Sequence, residues 1–308
     1  MASIVETNYF GGFNQTEDPK VLVIPAPYEY TPVFIKGTKN GPQAILNASK
    51  RLEAFDDELW TDISKIGINT ANPVICDFAS NKSTMPFMEL EQAIRNSVIN
   101  GQMPVIIGGE QALSFGTIKS IYDLYPDVSI LSLTARPHLK NTFENNKYSS
   151  PCVFRRITET MPDIKLIQLS VRSVSNEEKH FLETSKTNIE IYLDKDKKEW
   201  NVSEILSNLT KNVFISFNFN SLNSAVMPSC AMPEPGGLGY ELALDILKNT
   251  CTFKEIVGLE FTEFSPISGF LAPDFLASKL IYKTIGYTFA KELGVFEESN
   301  LAAPLSVS

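Results

Sequence analysis

The sequence predicts an α/β fold in which helices cover both faces of a parallel sheet. Two observations carry this. Short apolar, β-branched runs alternate with amphipathic stretches along the chain, the pattern of a sheet buried on both sides. No internal repeat, low-complexity tract or linker interrupts the 308 residues, so a single domain over 1–308 is the simplest expectation.

In chain order, residues 21–24 read as the first strand, with Val, Leu, Val and Ile in succession. After a loop rich in Pro and Tyr, Gly41-Pro42-Gln43-Ala44-Ile45 opens a helix. Pro42 suits a first helical position, where its missing N–H would be unpaired in any case. Phe87, Leu90, Ile94 and Val98 recur at helical spacing, and Gly101 follows as a stop. Residues 103–107 form a strand that Gly108-Gly109 breaks into another helix. Strands are further expected at 129–133, 164–169, 213–217 and 255–259, and helices at 175–185, 202–209, 239–249 and, the longest, 273–293.

Composition excludes several classes of function. At 43% hydrophobic and 20% charged the chain is neither disordered nor collagen-like. A net charge of −9 argues against gripping a nucleic-acid backbone. No stretch approaches the roughly 18 apolar residues of a membrane span, and Glu6 with no apolar run after it argues against a signal peptide. A cytoplasmic location is expected. Cys76, Cys152, Cys230 and Cys251 lie far apart, in neither a CxxC pair nor a secreted framework, and read as reduced, mostly buried thiols. His138 and His180 are the two histidines, so a multi-histidine metal site is not available. His180, beside Glu177, Glu178 and Lys179, reads as a solvated helix residue.

In doubly covered parallel sheets, ligands sit in the crevice beyond the carboxyl ends of the strands. The segments following Ile107, Leu133 and Phe217 are therefore the informative ones. They read Gly108-Gly109-Glu110-Gln111, Thr134-Ala135-Arg136-Pro137-His138, and Ser216-Phe217-Asn218-Phe219-Asn220, the last followed by Pro233-Glu234-Pro235-Gly236-Gly237-Leu238. This set resembles the three signatures of the ureohydrolase family, which includes arginase, agmatinase, formiminoglutamase and guanidinobutyrase. The resemblance covers nearly the whole chain and is nearest to agmatinase-like sequences. Gly37-Thr38, Gly41-Pro42, Asn146-Lys147-Tyr148-Ser149, Arg155-Arg156, and Gly258 with Glu263, Ser265 and Pro266 match in the same order.

The resemblance implies a three-layer α/β/α arginase-like fold, a parallel eight-stranded sheet and assembly as homo-oligomers, trimers or hexamers. It also implies two manganese ions held by two His and four Asp, with a metal-bound hydroxide attacking a guanidinium carbon. Matched position by position, the first metal-binding His is Gln111 here. The Asp, His and Asp of the second signature are Thr134, Arg136 and His138, and the two Asp of the third are Asn218 and Asn220. Neutral amides and a hydroxyl are poor manganese donors without anionic partners, and Arg136 adds a permanent positive charge. The expectation is a metal site rebuilt to be stable empty, with no cofactor.

Other matched positions are kept in part. Ser150 stands where agmatinase-like enzymes carry a His, and Asn223 follows the third signature where they carry Asp. Glu263 matches the family Glu that holds the substrate guanidinium. Together with Glu110 it offers a carboxylate that could hold Arg136 instead, a self-occupied pocket. Cys152 and Cys230 read as small buried residues rather than nucleophiles. The functional expectation is a pseudoenzyme acting through assembly, alone or mixed with an active paralogue. The alternatives are a non-catalytic binder of an amine, guanidine or carboxylate, and a divergent urea-releasing amidinohydrolase.

Overall fold

Alternation within the strands divides this molecule into layers. The computed structural model describes residues 9–13, 15–30, 33–76 and 87–295, so Glu6 lies outside it. Along these the chain runs β1 (Val21–Ala26), α1 (Gly41–Ser49), a short hairpin of β2 (Phe55–Asp56) and β3 (Thr61–Asp62), β4 (Ile68–Thr70), α2 (Met88–Ile99) and β5 (Met103–Gly108). There follow α3 (Ser114–Leu124), β6 (Ser129–Leu133), α4 (Val153–Thr160), β7 (Lys165–Val171), α5 (Asn176–Thr184) and β8 (Ile189–Leu193). The last elements are α6 (Val202–Ser207), β9 (Asn212–Asn218), α7 (Tyr240–Phe253), β10 (Glu255–Thr262) and α8 (Ala272–Thr288).

Eight strands make one sheet in the order β4-β1-β5-β10-β9-β6-β7-β8, and every pairing described in it is parallel. Successive side chains of a strand point to opposite faces, and here both faces are apolar. Val105 and Ile107 enter one core while Ile106 enters the other. Leu131 and Leu133 oppose Ile130, and Val213 and Ile215 oppose Phe214, in the same way. The first core is closed by α1, α7 and α8, and the second by α2, α3 and α4. The result is the three-layer α/β/α arrangement.

Local signals explain most boundaries. Pro42 occupies the first turn of α1. Gly101 takes φ 73° just beyond α2, a conformation in which a side chain is costly. Ser175 and Glu178 close a capping box on α5. Each strand expected from sequence exists: 129–133 keeps its bounds, and the other five run one to three residues further at their C-terminal ends, β7 starting one residue later than expected. The two outermost strands, β4 and β8, carry no such signal, because Ile-Asn-Thr is too short and β8 is half-buried throughout, with Glu190 among its apolar residues. The last helix stops at Thr288 rather than at 293. The β2–β3 hairpin is held to α8 by Lys283, whose ammonium lies 3.0 Å from an oxygen of fully buried Asp56 and 2.9 Å from Glu58.

Among the described residues no helix is long and apolar enough to cross a membrane.

Candidate functional site

The strand ends that matter are those of β5, β6, β9 and β10, neighbours at the middle of the sheet. Gly109 shows how tightly they are packed. A Cβ there would meet the Tyr28 carbonyl oxygen at 1.8 Å, so this position admits only glycine. Its N–H donates to Ala26, the Glu110 N–H donates to Tyr28, and the chain then turns to deliver Gln111 onto the sheet's end.

Gln111 is fully buried and every polar atom of its side chain is spent. Nε2 donates to Ser114 Oγ at 2.6 Å and to Ser216 Oγ at 3.1 Å. Oε1 accepts from Asn218 Nδ2 at 2.6 Å and from Thr262 Oγ1 at 2.7 Å. Two donor hydrogens and two lone pairs are all a primary amide offers. The main-chain N–H of Gln111 donates to Glu263 Oε1 at 2.6 Å. Ser114 and Ser216 pass their own hydroxyl hydrogens to one oxygen of Glu260, which is completely buried. Burial pushes the Glu260 carboxyl up to about 7, against the lowering effect of those hydroxyls.

A second group of bonds joins the remaining positions. Asn218 Oδ1 accepts the Asn220 N–H at 2.9 Å, and Asn220 Oδ1 accepts the Ala135 N–H at 2.9 Å. His138 Nδ1 lies 2.9 Å from the Ser150 carbonyl oxygen, which only accepts, so Nδ1 carries the hydrogen. Burial, and secondarily Arg136, push this imidazole down to about 3. It is neutral at ordinary pH, which leaves Nε2 as an acceptor facing Thr134 Oγ1 at 3.3 Å. Ser150 Oγ in turn accepts the Ala112 N–H at 3.1 Å. Glu263, adjoining the same hydroxyl, is pushed up to about 7, chiefly by burial. His138 and Glu263 both take positive φ, 55° and 66°, an arrangement that costs about 1 kcal/mol or more for a residue with a side chain.

The structure thus brings Gln111, Thr134, His138, Asn218 and Asn220 into one hydrogen-bonded set, with Ser150 and Glu263 beside it. Arg136 departs from the expectation. Its guanidinium pairs with neither Glu263 nor Glu110, but with Glu234 at 2.7 Å. Those two carboxylates instead receive main-chain N–H groups, Glu263 Oε1 that of Gln111 and Glu110 Oε2 that of Tyr30 at 3.2 Å. Arg136 is also a third exposed, so its charge lies at the mouth of the crevice and not on its floor. Asn223 is not in the crevice lining. Its Oδ1 accepts the Ala225 N–H and its carbonyl accepts from Val226 and Met227, a turn-forming role.

Three contributors escape sequence reasoning. Glu260 has a visible signal, a lone carboxylate inside an apolar strand. Glu234 and Arg172 have none, because their partners are remote in sequence. Arg172 reaches the carbonyls of Asn220, Leu222 and Glu234 through Nη2 and that of Pro235 through Nε, stitching together the two ends of the long loop after β9. The cysteines offer no activated nucleophile here: all four are unpaired, but burial raises every thiol, those of Cys76, Cys230 and Cys251 up to about 12. Between the loops lies a cavity of about 40 Å3 lined by Arg136, His138, Lys140, Ser150, Asn220 and Glu263 among others. A larger open depression, about 450 Å3, lies near Asp18 and Gly67 at the opposite end of the sheet, away from these groups.

Comparison with known proteins agrees with this geometry. A model of the arginase family matches residues 19–286. The N(1)-aminopropylagmatine ureohydrolase of Synechocystis sp. is 30% identical over 280 residues, covering 88% of this chain and 89% of the relative. An enzyme of the same name from Thermus thermophilus is 31% identical over 271 residues, covering 88% and 90%. Among solved structures, the agmatine ureohydrolase of Thermoplasma volcanium superposes with a TM-score of 0.80 at 22% identity, covering 94% of this chain and 98% of that one. Proclavaminate amidino hydrolase from Streptomyces clavuligerus gives 0.80 at 18% identity, covering 92% and 97%. The central sheet, the strand-end crevice and these matches along the chain's length lead to one conclusion: this protein belongs to the arginase family of ureohydrolases.

Proposed function

We propose that this arginase-family chain is a pseudoenzyme, one that holds no manganese pair, does not hydrolyse guanidino compounds and acts through assembly. The observation that carries the reading is the saturation of Gln111. A metal ligand needs a free lone pair, and here both lone pairs of Gln111 Oε1 are taken, while the oxygens of Asn218 and Asn220 each already accept a main-chain N–H. His138 keeps one ring nitrogen as an acceptor, turned to the Thr134 hydroxyl. Hard divalent cations favour charged oxygen donors, and none of the six matched positions is a carboxylate. The residues present therefore do not fit two manganese ions.

Neutrality is the gain. Clustered carboxylates without their metals repel one another, whereas Asn218 supplies an amide hydrogen to Gln111 and the oxygens of Asn218 and Asn220 accept others at no charge. Assembly is supported by apolar side chains left exposed beside the crevice: Phe34 and Ile35 on one loop, and Ile267, Phe270 and Leu271 on another. The two loops adjoin, since Ser265 Oγ donates to the Lys36 carbonyl. Patches of this kind commonly mark protein contacts. A homo-oligomer, or a mixed assembly with an active relative, would cover them within the cytoplasm.

A second reading draws on the names of the relatives, several of which are ureohydrolases. One experiment separates the two. Purified protein loaded with manganese and dialysed should contain far less than one ion per chain and release no urea from agmatine or N1-aminopropylagmatine. Two ions per chain with turnover would establish a divergent amidinohydrolase instead.

Stability measurements probe the same site. Asn218→Asp puts a carboxylate oxygen against Gln111 Oε1, and flipping the Gln111 amide to meet it would take the serine hydroxyls from Glu260. The melting temperature should fall by about 5 °C or more, with no recovery on adding manganese. Recovery would mean that the pocket still accepts the ion. Glu260 gives a pH test. Its folded-state value lies above that of an unfolded carboxyl, so its contribution is complete below about 4.5 and is lost as pH rises through about 7. Denaturant midpoints should therefore fall less between pH 5 and pH 8 in Glu260→Gln than in the unaltered protein, and equal slopes would show that Glu260 does not hold its proton. Light scattering should give the unaltered protein a mass of three or more chains, lowered by Leu271→Glu. A monomer at micromolar concentration would remove assembly from the proposal.

A further inference from the structure

The crevice is unevenly satisfied. Its carboxylates are occupied by the protein itself: Glu178 accepts from the Leu139 N–H and from both the N–H and the hydroxyl of Ser175, and Glu263 accepts from the Gln111 N–H beside the Ser150 hydroxyl. Its donors are not. Lys140 lines the cavity with its ammonium over the Phe143 ring, 5.5 Å from the centroid, and among the described residues it has no carboxylate partner. Arg136 bonds Glu234 through Nη2 alone, and its Nε is shielded from solvent without an acceptor. Asn220 is 2% exposed, and while its Oδ1 takes the Ala135 N–H, its Nδ2 has no acceptor among the described residues.

Unspent donors, two of them cationic, face a small cavity in which both oxygens of Glu178 and one of Glu263 are already used, and they favour an anion over an amine or guanidine. A shielded donor such as Arg136 Nε left unpaired is costly, and a ligand supplying acceptors removes that cost. The size narrows the class. About 40 Å3 accommodates a carboxylate group or a few waters but not an extended polyamine. A carboxylate also suits the planar guanidinium of Arg136, which can offer two parallel N–H donors to its two oxygens.

We propose that this crevice binds a small carboxylate, held by Lys140, the free N–H groups of Arg136 and Nδ2 of Asn220. The proposal rests on the metal-free reading, because bound manganese would claim the same floor. It reverses the electrostatic preference of a guanidine-hydrolysing site, in that the bound group is the anion.

Calorimetric titration of the purified full chain with sodium acetate and sodium malonate, at ionic strength matched with sodium chloride, tests it. Saturable binding and a raised melting temperature are expected for at least one of the two acids. Lys140→Met keeps the aliphatic stem over Phe143 and should weaken that binding by about tenfold or more. Three outcomes would overturn the proposal: no saturation by either acid, equal affinity in Lys140→Met, or tighter binding of putrescine, guanidinium or sulfate than of the acids. Manganese content measured on the same preparation keeps the two readings distinct. No acid binding without manganese removes only the carboxylate ligand. Two ions per chain remove the pseudoenzyme and the metal-free site with it, so acid binding supports the proposal only in protein without manganese.

Discussion

One neutral amide at the end of β5 is the constraint around which the centre of this molecule is organised. Gln111 sits where four strands end; its side chain makes four hydrogen bonds and its main-chain N–H a fifth. The partners come from α3, β9, β10 and the residue after β10, so the amide fixes the relative heights of the strand ends. Leaving even one such buried partner unmade costs about 1 to 3 kcal/mol, which is why the positions around it are matched to one another in chemistry. An amide at 218 presents a hydrogen to Gln111, a hydroxyl at 262 does the same, and hydroxyls at 114 and 216 accept. Glu260 completes the set behind them.

Much of this is legible in the sequence and some is not. Strand positions follow from apolar runs because a sheet buried on both faces needs them, and β5, β6, β9 and β10 are all recoverable. The edge strands are hidden because an edge needs no continuous apolar run. At the site, the residue types at 111, 134, 138, 218 and 220 already signal an uncharged set. For Arg136 the sequence identifies the cation but not its partner. A guanidinium near a buried site needs an anion, but the main-chain N–H groups that Glu110 and Glu263 receive instead meet them only once the chain is folded. Glu234 takes the pair because the long loop after β9 carries it to the crevice mouth.

The hydrogen-bonded floor and the charged mouth also differ in kind. On the floor, His138 and the amides are neutral and the carboxyl of Glu260 is pushed up to about 7. At the mouth, Arg136 and Lys140 remain cations in contact with water. A gradient from neutral interior to cationic rim is one that the folded chain can sustain without an internal ion, since charges stay where solvent screens them.

Arg172 adds a dynamic consequence. Its guanidinium spans the carbonyls of Asn220 and Leu222 on one side and of Glu234 and Pro235 on the other. Main-chain bonds run the same way, from Leu238 to Ser221 and from Asn223 to Leu238. The segment over the crevice and the segment beneath it are therefore one mechanical body. Moving either segment alone would break the Arg172 bonds between them, and the amides at 223 and 238, bonded across the same seam, are expected to exchange with solvent together.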